Sequence, residues 1–413
     1  MVATAETARM IEAEPEEVGL SSARLKNVSN LVQRYIDEGK FVGAISMVAR
    51  RGKVVHFETY GHKEAETRRP MEPDTIVRIY SMTKPIASVG LMTLYEEGKF
   101  QLDDPASKYI PEFKGLKVFA GGTPDQYEVR EPAREMTVRD LLMHTSGLVG
   151  GGPSPVGQLY QRAELQGSRS GGTLAEMIKK LGPLPLYCDP GSQWNYGIST
   201  DVVGYLCEVL SGERFDRFLQ ERILGPLGMV DSGFDVPGDK LHRFAANYRR
   251  TDGDRYELID KPDESSAYAK PRTYFSGAGG MVSTAADYMR FCKMLARGGE
   301  LDGVRILGTR TVQYMAMNHL PGGRDLTGMG GRLGETTMDG IGFGLGFAVL
   351  LDPTTAQVIG APGEYYWGGA ASTAFFINPV EDLIMVFLTQ LMPSSSYPIR
   401  RELRATIYTS IID

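Results

Sequence analysis

Ser81-Met82-Thr83-Lys84 places a hydroxyl and an amine three positions apart at the entrance to an apolar stretch. Residues at that spacing share one face of a helix. A serine hydroxyl is a poor nucleophile at neutral pH and needs a neighbouring base. A lysine that is desolvated, or held near other positive charge, can serve. Free N–H groups at the start of a helix would also favour the negative charge that develops during attack. Ser-x-x-Lys arises roughly once by chance in a chain of this size, so the setting has to decide. Here Ile76 to Tyr80 reads as an extended approach. Pro85 to Gly98 reads as a helix, with Ser81 near its N-cap, a proline in the first turn and a glycine at its stop.

Two further segments carry chemistry. Pro190-Gly191-Ser192-Gln193-Trp194-Asn195-Tyr196 sets Tyr196 in a turn ahead of a helix expected from Ile198 to Leu210. A nearby cation stabilises phenolate, so Tyr196 beside Lys84 is a candidate general base; taken alone, it is a packing residue. Tyr365 to Pro379 reads as a loop entering a strand, with Trp367, Gly368 and Gly369 at its centre. Adjacent glycines let a ligand come close to backbone, or else mark a bulge at a sheet edge. Backbone N–H groups there could join that of Ser81 in an oxyanion hole. Tyr187, Trp194, Tyr274, Phe275, Tyr365 and Tyr366 lie near these motifs in the sequence and could build an apolar pocket for short acyl chains. Core packing would serve each of them equally well.

The elements that must position these groups follow from periodicity. Residues 24 to 38 repeat apolar positions at helical spacing, and Val42 to Ala49 and Val54 to Tyr60 flank Arg51-Gly52-Lys53 as strand, turn and strand. From about 100 to 260 the pattern is helical and loop-rich, with helices over Val138–Met143, Leu174–Leu181, Ile198–Leu210 and Phe215–Leu224. Another helix is expected over Ala285–Ala296, then strands over Gly344–Leu351, Ser372–Ile377 and Leu383–Thr389, and a closing helix near Ile399–Ile411. Strands at both ends with helices between imply one sheet shared by the termini and a separate helical lobe, with a cleft between them. The expected division is an α/β lobe from 1–90 and 270–413 and a mainly helical lobe from 91–269.

Composition sets limits. A chain of 413 residues with 42% hydrophobic content buries a large core, and its net charge of −6, without a basic block, argues against nucleic acid and anionic membranes as partners. The N-terminus shows no basic region followed by an apolar core, and nothing approaches membrane-spanning length. The three cysteines, Cys188, Cys207 and Cys292, and the five scattered histidines lack metal-ligand spacing. Buried inert thiols, no metal and a cytoplasmic location are the expectation. Gly-x-Ser-x-Gly is absent, and the glycines of 340–346 have the wrong spacing for a dinucleotide loop.

Ser81-Met82-Thr83-Lys84, Tyr196 in its Pro-Gly-x-x-Trp-x-Tyr context and Trp367-Gly368-Gly369, in that order, resemble the serine β-lactamase and penicillin-binding-protein superfamily. Within it the chain is most similar to the class C β-lactamase-like esterases, the family VIII carboxylesterases. The likeness runs from about residue 17 to the C-terminus and includes Leu141 to Leu148, Gly277 to Met281 and Gly342 to Gly346. It implies an α/β (α+β) fold with an antiparallel sheet flanked by helices plus the helical lobe. It also implies Ser81 as nucleophile, assisted by Lys84 and Tyr196, and an oxyanion hole from the N–H groups of Ser81 and Ala370. Trp367, Gly368, Gly369, Tyr274, Phe275 and Tyr366 would contact substrate, and no cofactor is required.

Two departures separate the branches. Class C β-lactamases carry Tyr-x-Asn, where this chain has Tyr196-Gly197-Ile198 followed by Ser199. They also carry Lys-Thr-Gly, where it has Trp367-Gly368-Gly369. Losing that lysine removes a cation suited to a β-lactam or peptide carboxylate and supplies an aromatic surface instead. The expected substrate is therefore a small-molecule short-chain acyl ester, with weak β-lactam hydrolysis at most. A β-lactamase or D-amino-peptidase and an acyltransferase remain as alternatives that share the acyl-enzyme, and a scaffold without turnover is the non-enzymatic one. His144-Thr145-Ser146-Gly147 reads as structural, at the end of a helix.

Overall fold

The computed structural model describes residues 10–165, 171–253, 255–331 and 338–413. Its centre is an eight-stranded antiparallel sheet built from two ends of the sequence. Gly43–Arg50 (β1), Lys53–Glu64 (β2) and Arg69–Pro70 (β3) come from the first part. Ile341–Phe343 (β4), Ala348–Leu350 (β5), Tyr365–Gly368 (β6), Ala374–Asn378 (β7) and Leu383–Thr389 (β8) come from the last. The strand order is β4-β5-β6-β7-β8-β1-β2-β3, and the two parts meet where β1 pairs with β8, from Ala44 opposite Thr389 to Arg50 opposite Leu383.

Every residue of β1 is buried, as a strand covered on both faces requires. Alternate side chains serve two cores. Ala44 and Val48 pack with Leu25, Val28 and Val32 of the helix Ser22–Asp37 (α1) and with Leu403 and Ile407 of the closing helix. Ile45, Met47 and Ala49 face the larger core with Met289 and Cys292 of a helix spanning Ala285–Ala296. Arg51 and Gly52 turn β1 into β2 with positive φ angles of 50° and 76°, the conformation a two-residue hairpin needs to match strand twist.

The remaining helices that matter to the site are Thr83–Glu96 (α2), Val138–Met143 (α3), Ser199–Ser211 (α4), Ala285–Ala296 (α5) and Ile399–Tyr408 (α6). From Thr83 to Leu94 α2 is buried all round, which its apolar, small-residue sequence permits. Cys188, Cys207 and Cys292 are buried free thiols.

The structure corrects several expected elements. Gly344–Leu351 is not one strand: β5 holds only Ala348–Leu350, while Gly346, at φ 100°, turns the chain back to β4. Trp367 and Gly368 lie on strand β6 rather than in a loop. Phe215–Leu224 is α-helical only to Leu219 and continues as a π-helix from Gln220 to Leu224. The middle of the chain also holds two hairpins, Val118–Gly122 with Tyr127–Arg130 and Asn247–Thr251 with Arg255–Asp260. Their polar strands lack the apolar alternation that announces a half-buried strand.

Candidate active site

The chain enters the site along a short strand, Val77–Arg78, paired with Val282–Ser283, and the buried Arg78 is fixed by Asp260 at 2.5 Å. A 3-10 turn, Tyr80–Met82, then leads into α2 and presents Ser81 at the surface of the core. Tyr80 adopts φ 44°, an uncommon backbone for a non-glycine residue, and its hydroxyl accepts a 2.6 Å hydrogen bond from Asn247 Nδ2. Met82 and Thr83 are tied to the segment that passes above them. Tyr288 Oη donates to the Met82 carbonyl at 2.9 Å, and Met281 N–H donates to Thr83 Oγ1 at 3.2 Å.

Lys84, one turn after Ser81, is only 4% exposed. Its Nζ lies 3.3 Å from Ser81 Oγ, donates to the Ala278 carbonyl at 2.6 Å, and stands 4.4 Å from the centre of the Tyr196 ring. Among the described residues Lys84 forms no ion pair. A carbonyl, a hydroxyl and an aromatic face compensate its desolvation instead of a carboxylate.

Tyr196 is half-buried in the turn before α4. Its hydroxyl accepts from Trp367 Nε1 at 3.3 Å across from β6. Trp367 is thus more than a pocket wall: its indole N–H is a donor to the tyrosine oxygen. Below these rings lies an aromatic bed. His144, at the left-handed C-cap of α3, is 4.9 Å from the Tyr196 ring and 5.6 Å from Phe343, and Trp194 stacks on Tyr196 at 5.8 Å. Burial, reinforced by the Lys84 charge, pushes the imidazole of His144 well below its usual range, so it sits there as a neutral ring. Among the described residues its Nδ1 has no hydrogen-bond partner. In sequence His144 reads as part of a helix end; its place under Tyr196 depends on a tertiary contact that no local pattern announces.

Gly368 and Gly369 bring β6 against the serine segment. A Cβ on Gly369 would stand 2.4 Å from the Ile79 carbonyl oxygen, so only glycine permits this approach. The turn from Gly369 to Thr373 closes with Gly369 N–H to Thr373 O at 2.9 Å and Ser372 N–H to Gly369 O at 3.1 Å, bonds that leave the Ala370 N–H out of the closure. Ser81, Tyr196, Trp367 and Ala370 all line one cavity of about 200 Å³, walled by apolar groups including Ile341, Val358 and Phe375, with Tyr366 and Arg400 further in.

Ser81, Lys84, Tyr196, Trp367, Gly368, Gly369, Ala370 and Tyr366 are therefore brought together. Tyr274 and Phe275 are not: they lie outside the cavity lining, 3% and 4% exposed in the large core, with Phe275 edge-on to Phe234 at 5.2 Å. Tyr187 and Tyr365 also lie outside that lining. Ser199 meets Ser146 at 2.8 Å in the interior. Among the described residues no group of three or more His, Cys, Asp or Glu side chains could hold a metal ion, and no helix is long and apolar enough to cross a membrane.

A helix start that presents Ser81 beside strand β6 of an antiparallel sheet is a serine-enzyme architecture, and the Beta-lactamase family model matches residues 28–409. The chain belongs to that family. Esterase EstB of Burkholderia gladioli is 29% identical over 413 residues, covering 96% of this chain and 98% of its own. Monacolin J acid methylbutanoyltransferase of Aspergillus terreus is 27% identical, covering 86% of each. Among solved structures, EstCE1, described as a hydrolase with promiscuous acyltransferase activity, superposes with a TM-score of 0.78 at 27% identity, over 94% of this chain and 98% of that one.

Proposed function

We propose that the protein is a serine carboxylesterase that hydrolyses short-chain acyl esters through an acyl-enzyme on Ser81. The observation that carries this reading is Ser81 Oγ 3.3 Å from the buried Lys84 Nζ, at the mouth of an apolar cavity where Trp367 holds the Tyr196 hydroxyl. Ser81 Oγ attacks the ester carbonyl carbon while its proton passes to the Lys84–Tyr196 pair. The carbonyl electron pair moves onto oxygen, between the N–H groups of Ser81 and Ala370. Collapse breaks the bond to the alcohol oxygen, which leaves with the proton, and water then repeats the sequence on the acyl-enzyme. The substrate sits in the cleft between the α/β lobe, 1–90 and 270–413, and the helical lobe, 91–269, and the enzyme works in the cytoplasm.

A cavity of about 200 Å³ is smaller than the sites of drug-sized ligands and suits a short acyl group. Trp367, where a cation would hold a carboxylate, disfavours β-lactams as the main substrate. EstB, named as an esterase, supports the reading. The acyltransferase relative and the description of EstCE1 favour a second outcome, passage of the same acyl group to an alcohol in place of water.

Intact-protein mass spectrometry after brief exposure to p-nitrophenyl butyrate, and separately to a fluorophosphonate, tests the assignment. One adduct mapping to Ser81, and turnover reduced by at least about 10⁴-fold in Ser81→Ala, is expected. Labelling or turnover that survives in Ser81→Ala would place the nucleophile elsewhere. Product partition with an added alcohol separates hydrolase from transferase.

A further inference from the structure

Asp201 takes no part in the chemistry above, yet it is buried directly behind it. It lies in the first turn of α4, 4% exposed. One carboxylate oxygen accepts both Ser276 Oγ at 2.6 Å and the Ala278 N–H at 3.2 Å. The carbonyl of that same Ala278 is the acceptor of Lys84 Nζ at 2.6 Å. A single residue therefore joins a buried carboxylate to a buried ammonium, the anion on its N–H and the cation on its C=O. The loop has no slack between them: a Cβ on Gly277 would stand 2.5 Å from the Thr200 carbonyl oxygen.

We propose that Asp201 is the positioning residue for Lys84, acting through Ala278: its carboxylate aims the carbonyl that holds Nζ and supplies the negative charge facing the Ser81 site. This rests on Ser81 being the nucleophile. The arrangement aligns charge, dipole and countercharge in a site shielded from water, where such alignment is strongest. Burial raises the Asp201 carboxyl, while the Ser276 hydrogen bond and the charge of Lys84 lower it. The other titratable groups facing this unit are Tyr196 from the turn before α4, His144 from the end of α3 and Tyr274 from the loop before Ser276, whose hydroxyl burial raises further out of range.

The test is the pH profile of kcat/KM for p-nitrophenyl butyrate in Asp201→Asn, alongside the rate at which fluorophosphonate labels Ser81. The amide retains a hydrogen-bond acceptor for Ser276 and Ala278 but carries no charge. Expected are a loss of about 10- to 100-fold and an acid limb displaced to lower pH by roughly half a unit to one unit, because a proton acceptor deprived of a neighbouring anion gives up its proton more readily. A profile superimposable on the wild type, or displaced upward, overturns the proposal. If circular dichroism shows that Asp201→Asn does not fold, Ser276→Ala takes its place. That variant removes one donor from the carboxylate; a loss of about threefold to tenfold supports the role, and wild-type kcat/KM at every pH overturns it. A wild-type enzyme that fluorophosphonate does not label at Ser81 overturns the nucleophile assignment and this inference with it. A labelled wild type with an unmoved variant profile overturns the positioning role alone.

Discussion

Lys84 and Arg404 are both buried cations, 4% and 8% exposed, and the protein treats them in opposite ways. Arg404, on α6, meets a fully buried Glu364 at 2.5 Å and 3.0 Å, lies 4.3 Å from the centre of the Tyr366 ring, and shares its carboxylate with the Tyr408 hydroxyl. The charge there is met by a carboxylate through two hydrogen bonds. Lys84 has instead a carbonyl, a serine hydroxyl and the face of a tyrosine. A cation clamped directly by a carboxylate is fixed, whereas Lys84 directly meets only dipoles and a ring, with its proposed countercharge, Asp201, set one residue back behind the Ala278 carbonyl. Burial alone does not separate the cation proposed for catalysis from Arg404; the nature of their direct partners does.

The contrast is broken most severely at Lys84. Lys84→Ala should lower kcat/KM for a short-chain ester by about 10³- to 10⁴-fold, with the urea midpoint unchanged or raised. A variant that lost stability instead would make Lys84 another Arg404. Glu364→Gln should do the reverse. Leaving Arg404 buried against a neutral partner costs about 3 to 5 kcal/mol in denaturant unfolding, so that stability is what this variant loses first. Next in size is Trp367→Phe, which keeps a ring and removes the N–H that reaches Tyr196. About tenfold in kcat is the expected loss, one hydrogen bond to a reacting oxygen, and unaltered kcat would reduce Trp367 to a wall.

A different kind of effect, on stability alone, concerns a buried ring that makes no use of charge at all. His56 bonds to Ser46 at 2.7 Å, and burial pushes its imidazole down to about 4, against the opposing charge of Glu58. The unfolded chain takes up this proton near the usual value of 6.5, so between about pH 6.5 and 4 the unfolded state binds more protons and stability falls as pH falls. A loss on the order of 3 kcal/mol across that window is expected, read from urea midpoints at pH 7 and 4.5. His56→Asn should flatten the dependence; an equally steep decline in that variant would assign it to another group.

Ser81, Lys84 and Tyr196 were legible in the sequence as candidates, and as residues that the fold brings together, because local spacing announces them: one helical turn for the first two, one turn-forming motif for the third. Trp367 was legible as a position but not as a donor, since its partner lies 171 residues away and only the packed fold brings them together. Asp201 and His144 carried no such signal. Their significance comes from what they touch after folding, and each looks in sequence like an ordinary residue at a helix end. Tyr274 and Phe275 misled for the converse reason. Closeness along the chain to the 276–281 loop says nothing about which side of that loop a ring faces, and both rings went into the core. In the sheet, β1, β2 and β8 declared themselves by long apolar runs. The strands β4, β5 and β6 are only three or four residues long, too short for a period of two to emerge.

The pairing of β1 with β8 also dictates when this enzyme comes into being on the ribosome. Residues 43–50 are made early, yet their partner at 383–389 emerges more than three hundred residues later. Until then a strand that is fully buried in the finished fold has one open edge, a template for wrong pairing that the nascent chain has to keep covered. Synthesis speed and chaperone access across that interval, more than any single contact in the finished fold, should govern how much active protein a cell recovers.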